Sequence, residues 1–152
     1  MSSQRPVLDD RAYRKVVNAW AMYDWGNSAF ATTIMAAVFP VFYRELALAA
    51  GASANDATAY WAYTTAVALL IVALLGPVLG AVADHTGGKK YYLGFFAGLG
   101  IVGTALFTFL GDDTYVRASV FFIIGNVGFA GANIFYESLL PHVAREEDID
   151  RV

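Results

Sequence analysis

The chain has 152 residues, of which 58% are hydrophobic and 15% charged, and its mean hydropathy is +0.51. Soluble globular domains average about 45–50% apolar and about 25% charged residues, so this composition points to lipid as the solvent. A net charge of -3 without a polybasic block gives nucleic-acid binding no support, and the lack of cysteine removes disulfides, thiolate metal sites and thiol nucleophiles.

A bilayer core about 30 Å thick asks for roughly 20 mostly apolar helical residues, and four segments qualify. Residues 1–17 read as a polar N-terminal segment. The first span is expected over about 18–43 and contains AWAMYDWGNSAFATT, in which Asp24 interrupts an otherwise apolar run. The later stretch LALAAGASA offers leader-like cleavage sites. However, the apolar run before it is too long for a leader peptide and carries a carboxylate, so this span is expected to stay.

The second span is expected over about 60–83. Its GPVLG stretch sets Gly76 and Gly80 at G-x-x-x-G spacing around Pro77, which predicts a close helix crossing and a kink. The third, about 91–110, repeats the spacing with Gly94 and Gly98. The fourth, about 116–140, is followed by a charged segment, 141–152, where the chain is expected to be cut short. None of these runs alternates at period two, and backbone groups in lipid must be satisfied within the segment, so the predicted fold class is all-α transmembrane.

The connections set the orientation. Arg5, Arg11, Arg14 and Lys15 precede the first span, Lys89 and Lys90 join the second to the third, and Arg145 and Arg151 follow the fourth. Arg44 and Arg117 are left for the other side. That asymmetry predicts a multi-pass protein of the cell (inner) membrane with its N-terminus in the cytoplasm. Trp20, Trp25, Tyr43, Tyr60, Trp61, Tyr91, Tyr92 and Tyr115 lie at span edges, where interfacial aromatic belts form.

Two of the spans carry a polar stripe. At 3.6 residues per turn, Asp24, Asn27 and Ser28 share one face of the first, and Asn126, Asn133 and Glu137 share one face of the fourth. Gly125, Gly128 and Gly131 lie opposite the second stripe, which suggests a wet cavity in front and a close-packed helix behind. All Lys and Arg residues fall at or beyond the span edges, so neither acid has an evident cationic partner. Intramembrane acids are costly and point to function, which makes these six residues candidates for binding a proton or a substrate. A structural role is the alternative: Asp24 bonded to Asn27 or Ser28, Glu137 reaching water, and Asn126 and Asn133 bonding across helices.

Between the second and third spans the chain reads GAVADHTGGKKYYLG, a tight hairpin turning at Gly87 and Gly88. Gly80, Asp84, Gly87, Lys89 and Lys90 resemble the G-x-x-x-D-[RK]-x-G-x-[RK]-[RK] loop of the major facilitator superfamily, with His85 departing from the usual cation. WAMYDWGNSAFATTIMAAVFPVFY and FYESLLPHVA are similar to the autophagy-related vacuole-effluxer branch of that superfamily, which includes an unnamed bacterial branch. The resemblance runs from Asn18 to about Arg151.

That resemblance implies a secondary transporter of a small solute, with amino acid efflux linked to some eukaryotic members and with ion or proton coupling. It implies twelve helices in two halves around a midplane cavity, of which this chain resembles the N-terminal third. Expected partners are therefore the lipid bilayer, a small-molecule substrate, a coupling proton or ion, and the remaining transporter helices. Neither a cofactor nor a metal is expected. With no nucleophile–base set, metal cluster or phosphate loop, neither is an enzymatic activity. The competing expectation is a self-contained four-span oligomer, either a small cation or drug exporter or a non-transporting protein that binds partners or lipid.

Overall fold

A computed structural model describes residues 9–85, 88–111 and 114–143, the side chains of 141–143 excepted. The chain begins with α1 (Asp10–Ala29), continues without a break through a π-helical segment (Phe30–Val38), and ends its first long rod in α2 (Phe39–Ala49). Then come α3 (Ala54–His85), α4 (Lys89–Ala105) with a 3-10 turn at its end (Leu106–Phe109), and α5 (Tyr115–Val143). Four helices are long and apolar enough to cross a membrane: Asp10–Ala49, Ala54–His85, Lys89–Phe109 and Tyr115–Leu140. The first two overrun the expected ranges at both ends, and Tyr115–Leu140 starts one residue early and ends where expected. The Lys89–Phe109 helix starts two residues early and stops one short. The expected N-terminal segment is described from Asp9 onward, and 144–152 and the turn residue Gly87 lie outside the described residues.

Local chemistry fixes the ends. Asp9 caps α1, its carboxylate accepting from the Arg11 nitrogen at 2.9 Å. α2 stops at Gly51, whose φ of 86° suits a residue without Cβ, while Gly51 N–H donates to Leu48 and Ala52 N–H to Ala47. Ser53 then opens α3, its hydroxyl accepting from the Asp56 nitrogen and donating to the Asp56 carboxylate. The π segment was not foreseen. There Phe39 N–H reaches back to Ile34, and the Thr32 hydroxyl donates to the Ser28 carbonyl. Pro40 follows, and a proline ring clashes with the carbonyl four residues back, a conflict that a widened turn relieves.

α5 is the axis of the molecule, packed along α4 and α3 and touched by α1 and α2. Its glycines let α4 come to backbone distance. A Cβ on Gly103 would lie 2.6 Å from the Gly125 nitrogen, one on Gly128 would collide with the Gly100 backbone, and Gly131 faces the Phe96 ring. The expected crossings at Gly76/Gly80 and Gly94/Gly98 are not made, because a Cβ at any of the four would meet nothing within 4 Å. Glycine spacing permits close approach, but a neighbour must lie on that face, and among the described residues none does.

Two apolar clusters hold the bundle. One gathers Phe39, Tyr43, Leu46, Ala68, Ala118 and Phe122 where α2, α3 and α5 meet; the other gathers Ala83, Phe96, Ala132 and Phe135 at the opposite end. Tyr43, expected in an interfacial belt, is instead 0% exposed, and Trp61 packs on the same cluster. The outward residues of α3 and α4, among them Leu70, Leu74, Val78 and Ile101, are exposed and apolar, as a lipid-facing surface requires.

Candidate functional site

The polar residues of α1 and α5 are arranged about a seam between the two helices. Trp20 stacks on Tyr136 with ring centres 3.6 Å apart, and Tyr23 covers the same ring at 4.7 Å. The Tyr136 hydroxyl donates to the Trp20 carbonyl at 3.3 Å. One layer further, the Asn27 amide donates to the Asn133 amide oxygen at 2.6 Å, and beyond that Phe30 meets Phe129. Residue numbers rise along α1 as they fall along α5, so the helices run antiparallel, and the seam uses positions 20, 23, 27 and 30, one helical stripe.

Asp24 and Ser28 each follow a seam residue by one position, a rotation of about 100° around α1. Glu137 follows Tyr136 by one position on α5 in the same way. In an antiparallel pair the same sense of rotation carries both side chains to one flank, so Asp24, Ser28 and Glu137 lie on the same side of the seam. All three are exposed. Among the described residues neither acid forms an ion pair or a hydrogen bond; the ion pair present is Arg44–Glu45. The proposed bonds from Asp24 to Asn27 or Ser28 are not made.

The two asparagines of α5 part company. Asn133 takes the expected interhelical bond. Asn126, at 9% exposure, takes none among the described residues. The other flank of the seam is apolar, a groove of about 620 Å³ walled by Met22, Gly26, Phe30, Gly100, Ile101 and Phe129.

The reading of the sequence missed a hydroxyl cluster at the far end. Tyr43 sits 2.9 Å from the Ser119 hydroxyl and 3.4 Å from that of Thr64, and Thr64 and Ser119 are 2.8 Å apart. These groups tie α2, α3 and α5 together where α1 and α3 share no extensive contact. Isolated Thr and Ser in apolar runs were the available signal. In the hairpin motif, Lys89 donates to the Ser138 carbonyl at 3.1 Å, placing a cation near the end of α5. Asp84 and Lys90 are exposed, and a Cβ at Gly80 would meet nothing within 4 Å among the described residues.

Four long apolar helices that gather polar and acidic groups along one seam define an all-helical integral membrane protein. The chain belongs to the vacuole effluxer Atg22-like family, whose model matches residues 12–151. It is 39% identical over 142 residues to the MFS-type transporter YxiO of Bacillus subtilis, covering 93% of this chain and 33% of that protein. It is 25% identical to autophagy-related protein 22 of Coccidioides immitis, covering 88% of this chain and 29% of that protein. The chain therefore spans about a third of the length of the curated relatives it matches. No solved structure matches it.

Proposed function

We propose that this chain forms part of a secondary transporter of the major facilitator type, that it sits in the cell membrane with its N-terminus in the cytoplasm, and that Asp24 and Glu137 bind a coupling proton or the solute itself. One observation carries the reading: two exposed carboxylates share a flank of a pair of helices long and apolar enough to cross a membrane, with no cation from the described residues to neutralise them. A charge on a membrane helix costs at least about 2.5–3.5 kcal/mol, which a structural role alone leaves unreturned. The similarity to an MFS-type transporter supports the class. Amino acids are the first solutes to test, since amino acid efflux is linked to some eukaryotic members of the branch the chain resembles.

Asp24→Asn tests the reading. In membrane vesicles bearing the protein, uptake of a panel of radiolabelled amino acids, with and without an imposed proton gradient, is compared between wild type and variant at equal insertion. Gradient-driven accumulation should be lost in the variant. Normal accumulation by the variant would remove Asp24 from the site.

A further inference from the structure

The outer face of α3, remote from the α1–α5 seam, carries a slot near its end. Pro77 interrupts the helix there, and a proline nitrogen cannot donate to the carbonyl four residues back. One turn later Ala81 offers only a methyl group between the larger Val78, Val82 and His85. These five residues shape a slot of about 550 Å³. Pro77, Val78, Ala81 and His85 are exposed, so the slot opens outward. Its walls are apolar for about 12 Å, from Pro77 to the imidazole of His85.

The hairpin supplies the polar end. One membrane-spanning helix stops at His85 and the next starts at Lys89, so both helix ends lie at headgroup depth. Four residues bring them within at most about 14 Å of each other. Lys89 is engaged with the Ser138 carbonyl, whereas Lys90 is exposed and makes no ion pair among the described residues. Asp84 lies about a quarter turn from the middle of the slot, on the line of Gly76 and Gly80. The acid therefore does not stand over the slot's end. Tyr91, 85% exposed, follows Lys90 at the depth where aromatic rings meet headgroups.

We infer that the slot seats an acyl chain of an anionic phospholipid, whose phosphate is held by the His85 imidazole and the Lys90 ammonium. An apolar trough that opens to lipid and ends at a ring donor and an unpaired cation matches such a molecule in both its parts. A free phosphate would leave the trough empty. The ammonium of a zwitterionic lipid would be repelled by Lys90, which selects for a headgroup with net negative charge. This site is independent of the transport reading.

The delipidated full chain in neutral detergent is titrated with dioleoylphosphatidylglycerol or dioleoylphosphatidylethanolamine, and native mass spectrometry follows the first lipid bound. The anionic lipid should bind about fivefold more tightly, the preference expected of one lysine near the membrane surface. Lys90→Gln should erase that preference, and His85→Ala should weaken the anionic lipid more than the zwitterionic one. Ala81→Trp fills the trough from an exposed position and should weaken the anionic lipid at least about fivefold. Leu70→Trp, seven residues before Pro77 on the same exposed face, should leave binding unchanged.

Equal binding of the two lipids by the unaltered chain, or a preference that survives Lys90→Gln, overturns the headgroup assignment. Binding untouched by Ala81→Trp, or weakened as much by Leu70→Trp, overturns the slot as the seat of the chain and leaves that face to a protein neighbour.

Discussion

Asn27 and Asn133, 106 residues apart in the chain, are joined by a 2.6 Å hydrogen bond from the amide nitrogen of the first to the amide oxygen of the second. This bond is the polar layer of an otherwise aromatic seam, and it fixes the register of α1 on α5. A one-turn slip would oppose Asn27 to Phe129 and leave Asn133 without its partner.

The pair should therefore show measurable coupling. Bonds of this kind between membrane helices average about 0.6 kcal/mol and reach about 1.7 kcal/mol. Asn27→Ala, Asn133→Ala and the double variant, unfolded in mixed micelles, should close a cycle with coupling in that range. Coupling indistinguishable from zero would mean that the aromatic layers alone set the register.

The glycines divide into two groups with opposite expectations. Gly103→Ala and Gly128→Ala push a methyl group into the backbone of the facing helix, and overpacking of this kind costs about 1–3 kcal/mol. Gly76→Ala and Gly94→Ala enter open space, so the melting temperature in detergent should hold or rise slightly through better helix propensity. If all four raise it alike, helix propensity and not close packing governs.

Within the hydroxyl cluster, the two ends of the Tyr43–Ser119 bond differ in weight. Tyr43→Phe removes one hydroxyl but leaves the 2.8 Å Thr64–Ser119 bond, for a loss of about 1 kcal/mol. Ser119→Ala strips partners from both Tyr43 and Thr64 in a buried setting and should cost more, about 1–3 kcal/mol. Thermal unfolding of the two variants side by side gives the order. Equal losses would show that Ser119 is not the hub.

Much of the architecture was legible because lipid imposes simple requirements. Length and apolarity alone mark four helices, and a 3.6-residue count is enough to place Asp24 with Ser28 and Asn126 with Glu137. The readings that failed depended on neighbours. Gly76 and Gly80 carry the spacing of a crossing but meet no helix among the described residues, whereas Gly100 and Gly103 pack closely against α5. Tyr43 reads as a belt residue until Thr64 and Ser119 are seen beside it. Asn126 and Asn133 look alike in the sequence; Asn27 lies across from one and not the other.

The π-helical segment has a consequence for the first rod as a whole. Counted as uninterrupted α-helix, the sixteen positions from Asn27 to Tyr43 would leave those residues about 160° apart, back to back. A π turn takes about 4.4 residues, so the nine residues Phe30–Val38 fall short of α-helical rotation by about the same angle. The two errors cancel, and Asn27 and Tyr43 both address α5. The segment thus works as a phase corrector: its residue count, more than its chemistry, decides which way the far half of the rod faces. One residue fewer would swing Tyr43 by roughly a quarter turn, away from Ser119, with every side chain still in the chain and the hydropathy profile almost unchanged.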